Sequence, residues 1–148
     1  MKGKYGGVLF VATTQDANQQ IYPIAFAVVD SENDASWDWF FKNLKRFVPN
    51  NNELLFISDR HISIKKGIAS NYEMAFHGYC NWHLKGNLRK RTRSDRILEM
   101  YMDCARKYKR TDCMRILEQI SGVCTLMHLI TQIYVDVRVA CFVDNNYS

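Results

Sequence analysis

Residues 54–88 read LLFISDRHISIKKGIASNYEMAFHGYCNWHLKGNL, and the succession of patterns inside this stretch points to an α/β fold. Leu54–Ile57 is a short apolar run that breaks at Ser58, Asp59 and Arg60. Beyond the break, Ile64 and Ile68 with lysines between them have the spacing of a helix. A second strand, Ala75–Tyr79, leads directly into Cys80 and His83 at a C-x2-H spacing. Asp59 is thereby expected at the carboxyl end of a buried strand. Open α/β sheets hold ligands and metals at that end, because the strand fixes the backbone while the following loop leaves the side chain accessible. An aspartate after a strand is more often an ordinary helix N-cap or turn former, and on spacing alone that reading wins.

Upstream, Val8–Thr13 and Ile21–Val29 are apolar runs separated by the polar segment Gln15–Gln20, which predicts a β-hairpin. Pro23 lies inside the second run and lacks the N–H that a central strand needs, so that strand is expected at a sheet edge. Ser36 precedes Trp37, Phe40, Phe41, Leu44, Phe47 and Val48 at helical spacing, and Pro49 ends the pattern. With Lys42, Asn43, Lys45 and Arg46 on the opposite face, the aromatic stripe predicts a helix over 36–48 packed on the sheet, not a base-stacking surface. The hairpin and the Leu54–Ile57 strand are expected in one sheet.

Downstream, Lys85, Arg89, Lys90, Arg91, Arg93 and Arg96 form a basic cluster. Such a cluster neutralises DNA phosphates and releases their counterions, or is a solvated helix face. Ser94 starts a helical pattern through Ile97, Leu98, Tyr101 and Tyr108, and Met114, Leu117 and Ile120 continue it in a helix from near Thr111. From Gly122 the text changes: Ile133, Val135, Val137 and Val139 alternate with Tyr134, Asp136 and Arg138, a strand-like tail whose charges exclude a membrane span.

The 148 residues, 47% of them hydrophobic and 13% aromatic, are enough for one packed core and exclude a disordered chain. A net charge of +5 favours an acidic partner, nucleic acid first. No segment has the layout of a signal peptide or an apolar stretch long enough to span a membrane, which predicts an intracellular protein. Five cysteines without framework spacing predict reduced thiols. Cys80 and His83 are possible zinc ligands, a free thiol and a hydrogen-bonded imidazole being the plainer reading. Further ligands would have to come from His77, His61, Cys104 or Cys113.

Three stretches taken together, KGKYGGVLFVATTQDANQQIYPIAFAVVDSENDASWDWFFKNLKRF, LLFISDRHISIKKGI and HGYCNWHLKGNL, resemble in order and spacing the transposase domain of plant Mutator-like elements (MULE) over roughly residues 2–120. The resemblance implies a ribonuclease H-like sheet with flanking helices and a three-carboxylate site for magnesium or manganese, used in metal-dependent DNA cleavage and strand transfer in the nucleus. Asp59 matches the family's second aspartate, and Cys80 with His83 its Cys/His motif. The family's first aspartate precedes the segment matched by Lys2–Gly7, so the first, central strand is expected to be missing. Neither Glu99 nor Glu118 sits in a motif matching the third carboxylate. The expectation is therefore a truncated, catalytically incomplete remnant with weak, non-specific DNA affinity. Residues 1–93 would form the partial core, 94–121 a helical extension and 122–148 a divergent tail. The alternative is a domesticated nuclear DNA-binding or transcription-related module without catalysis.

Overall fold

The computed structural model describes residues 6–107 and 109–123. They form a mixed α/β arrangement of two two-stranded sheets and five helices. Two compact units divide it: residues up to Leu54 with His61–Ala75, and Leu55–Arg60 with the residues from Phe76 on.

In the first unit, β1 (Val8–Gln15) and β2 (Ile21–Val29) pair antiparallel. The turn between them is closed by the Asp16 carboxylate, which accepts the backbone N–H groups of Asn18 at 2.9 Å and Gln20 at 2.8 Å. Ala12 pairs with Ala25 and Thr13 with Pro23, so the register slips at Ile24. Pro23 thus sits beside a bulge, where a missing donor interrupts the ladder least.

Helix α1 (Asp34–Leu44) starts two residues before Ser36, because the Asn33 side chain accepts the Ser36 N–H at 2.8 Å and takes the N-cap. It also ends before Val48. The N–H groups of Arg46 and Phe47 turn to the carbonyls three residues back, and Phe47 stands exposed. Trp37, Phe40, Phe41 and Leu44 are buried as the stripe predicted. Phe10 of β1 stacks on Trp37 with ring centroids 3.7 Å apart, so α1 does cover the hairpin. Helix α2 (Ile62–Asn71) adds Ile64 and Ile68 to this core. Full burial of each such side chain stabilises by about 1.5–3 kcal/mol.

In the second unit, β3 (Leu55–Ser58) and β4 (Phe76–Tyr79) pair parallel, Leu55 opposite Phe76 and Ser58 opposite Tyr79. The expectation of one sheet is thereby corrected. Among the described residues each strand pairs only with its neighbour in sequence, β1 with β2 and β3 with β4.

Helices α3 (Asn81–Arg91), α4 (Asp95–Ala105) and α5 (Arg110–Val123) follow. Leu84 and Leu88 pack with Ile97, Leu98, Tyr101, Cys104, Cys113, Leu117 and Ile120 in one cluster. The sulfurs of Cys104 and Cys113 are bonded, which corrects the expectation of reduced thiols. The short connection between α4 and α5 brings their Cα atoms to 4.5 Å, a separation that sequence spacing does not reveal. Cys80 is a free thiol. The strand-like reading of the tail from residue 124 on lies outside the described residues.

Candidate functional site

Asp59 leaves the carboxyl end of β3 directly after Ser58, as the sequence predicted, but β3 is not the buried strand expected: none of its residues is buried and Ile57 is exposed. The parallel register puts Tyr79, and then Cys80, at the same level on the neighbouring strand. The Cys80 N–H donates to the Ser58 carbonyl at 2.6 Å, one further bond past the strand ends. Two consecutive strand ends thus release Asp59 and Cys80 side by side in sequence register. Asp59 is half-buried, which leaves its carboxylate within reach of solvent.

Cys80 is the N-cap residue of α3, without a side-chain capping bond, and His83 stands exposed in the first turn. That turn carries no acidic side chain of its own. Ser58 Oγ donates to the Asp59 carbonyl at 2.7 Å and lies 2.9 Å from His77 Nε2. The pairing of Ser58 with His77 was not legible in the sequence: their nineteen-residue separation becomes a contact only through the parallel register.

A magnesium or manganese pair needs hard oxygen ligands from more than one carboxylate. Among the described residues no group of three or more His, Cys, Asp or Glu side chains gathers at Asp59 or elsewhere. These residues by themselves do not fit such a site. Zinc meets the same obstacle. Cys80 and His83 gain no third donor among the described residues, and Cys104 and Cys113 are bonded to each other.

The cations of the basic cluster are arranged on two elements. Arg89, Lys90 and Arg91 form the last turn of α3, where they also complement the negative end of its dipole. Arg93 lies in the connection to α4 and Arg96 in the first turn of that helix, both exposed, while Lys85 is half-buried midway along α3. No helix among the described residues is long and apolar enough to cross a membrane.

No curated protein and no solved structure matches the chain. The family model of the MULE transposase domain matches residues 1–87, more than half of the 148. The matched stretch includes the hairpin, α1, Asp59, Cys80, His83 and Lys85, and ends within α3 before Arg89. With that span matched, the chain belongs to the MULE transposase domain family.

Proposed function

We propose that the chain carries part of the metal-dependent DNA site of a transposase and is, as this chain, catalytically incomplete. Asp59 is the second of three carboxylates that would hold magnesium or manganese on a ribonuclease H-like sheet. Lys85, Arg89, Lys90, Arg91, Arg93 and Arg96 keep a weak, sequence-independent hold on DNA in the nucleus. Family membership implies a role in transposition. The observation that carries the finer reading is the position of Asp59, at the carboxyl end of β3 in a parallel strand pair and inside the matched residues. Incompleteness is supported by Asp59 belonging to no group of three or more His, Cys, Asp or Glu side chains that could hold a metal ion among the described residues.

The test incubates the purified chain with plasmid DNA and magnesium or manganese. The expected result is no cleavage above background; cleavage that disappears in Asp59→Ala would overturn the claim of incompleteness. For binding, each phosphate contact contributes about 0.9 to the slope of log affinity against log salt, so neutralising Arg89, Lys90 and Arg91 together should lower the slope by about 2–3. Binding indifferent to salt and to these substitutions would sink the DNA assignment.

A further inference from the structure

Helix α3 turns an uncommon face to solvent. Leu84 and Leu88 are buried, and Asn81 accepts the Tyr101 hydroxyl at 2.5 Å, so these three residues define the packed side. At 100° per residue the opposite side carries Trp82, Gly86, Arg89 and Lys90, an i, i+4, i+7, i+8 stripe. Trp82 is 77% exposed, far more than a tryptophan serving as packing would be. One turn further on, Gly86 has nothing within 4 Å of the place where a Cβ would stand. Glycine is the poorest helix former after proline, so packing gives no reason for it in the middle of α3. What it provides is an uncovered position on the same helix stripe as Trp82. Arg89 and Lys90 follow one turn beyond it, and α3 contains no acidic residue at all.

A flat, exposed aromatic ring, an open position one turn along the same stripe and two cations one turn beyond that are the parts of a stacking platform. Single-stranded nucleic acid is held in this way, bases on aromatic faces and phosphates on flanking cations. A duplex keeps its bases stacked on one another and would use the cations alone.

We propose that the Trp82–Gly86–Arg89–Lys90 face of α3 binds unpaired DNA, one base stacking on the Trp82 indole over the Gly86 gap and the neighbouring phosphates meeting Arg89 and Lys90. The proposal rests on the DNA-binding reading above and deepens it, from DNA in general to strands with unpaired bases. Trp82 carries no charge, so its role separates cleanly from that of the cations.

The full chain is titrated into a fluorescein-labelled oligothymidine and into a blunt duplex of the same length, with anisotropy as the readout across a range of salt. Trp82→Ala should weaken single-strand binding about tenfold, within the range measured for loss of one stacking ring, while duplex binding and the salt slope stay unchanged. Trp82→Phe, which keeps a ring, should recover part of the loss. Gly86→Leu, which fills the gap without touching charge, should weaken single-strand binding alone. Equal affinity of wild type and Trp82→Ala for the oligothymidine, or an equal loss on both substrates, would overturn the inference while leaving the DNA-binding reading intact. Absence of any binding by the wild type would overturn both. If Trp82→Ala instead turns a sedimenting dimer into a monomer without affecting DNA, the face is a contact between copies of the chain and the proposal falls.

Discussion

His77 Nε2 lies 2.9 Å from Ser58 Oγ, across two parallel strands. With the Ser58 hydroxyl donating to the Asp59 carbonyl at 2.7 Å, its oxygen is left to accept from the imidazole. This arrangement predicts the Nε2–H tautomer for neutral His77. The bond ties the second residue of β4 to the residue that precedes Asp59, and so helps fix where the candidate carboxylate leaves the strand. Nitrogen chemical shifts of His77 at neutral pH should report a protonated Nε2 and a bare Nδ1, and Ser58→Ala should move the balance of the two forms. A spectrum of the Nδ1–H form in the wild type would show the hydrogen-bond direction to be reversed.

Gly67 is where α2 meets α1. A Cβ placed on it would come within 2.7 Å of Phe41 Cδ2 and 3.3 Å of the Trp37 backbone carbon, both in the closely packed first core. By helix propensity alone Gly67→Ala would stabilise by about 1 kcal/mol. The buried Phe41 ring has little room to withdraw, and overpacking of this kind costs about 1–3 kcal/mol. The clash should win, giving net destabilisation in urea unfolding; a more stable Gly67→Ala variant would mean that the two helices separate easily.

Asp34, in the first turn of α1, accepts from Ser63 Oγ and from Lys66 Nζ of α2, each at 2.5 Å. The bond from Lys66 first, and that from Ser63 second, hold its carboxyl below the ordinary aspartate value of 3.8. A carboxylate with a lowered folded value contributes its stability in full above 3.8 and loses it as the pH falls through the lower value. Thermal midpoints of wild type and Asp34→Asn should therefore differ most at neutral pH and converge as the pH falls from 3.8 through the lowered folded value. A constant difference across the acid range would argue that the contact does not depend on the charge of Asp34.

Tyr72 is buried at the end of α2 and donates its hydroxyl to the Val48 carbonyl at 3.1 Å. Burial pushes its phenol up from 10.0 to about 12. A raised folded value means stability that is complete below the ordinary value and is lost as the pH rises through the folded one. Tyr72→Phe should cost about 1 kcal/mol at neutral pH, where the hydrogen bond is present, and should remove from the ultraviolet titration a tyrosine that ionises at about 12. If every tyrosine of the wild type ionises near 10 while the fold persists, Tyr72 is reached by solvent.

The outward face of the hairpin is apolar: Leu9 stands opposite Val28 and Val11 opposite Phe26, all exposed, with Phe26 77% so. Neither strand contains a charged residue that would discourage pairing with other chains. Phe26→Lys should raise the concentration at which the protein stays monodisperse and leave the thermal midpoint within the shift expected of about 0.5 kcal/mol. A marked drop in the midpoint would mean that Phe26 packs against part of the folded chain.

The sequence by itself determined the elements and the place of the candidate carboxylate. Period-two runs fixed β1 and β2, the aromatic stripe fixed the buried face of α1, and the break after Ile57 put Asp59 at a strand end, because these patterns arise from local geometry and from which face must leave water. The three motifs gave the family in the same way, since their spacing is written along the chain. Partners distant in sequence were decided only by the tertiary structure. That β3 joins β4 and not the hairpin, that Ser58 meets His77, and that Cys104 meets Cys113 depend on strand register and helix packing, which carry no periodic signal. The exposure of Trp82 belongs with these: the sequence shows a tryptophan between Cys80 and His83, and only the packing of Leu84 and Leu88 tells which way it faces.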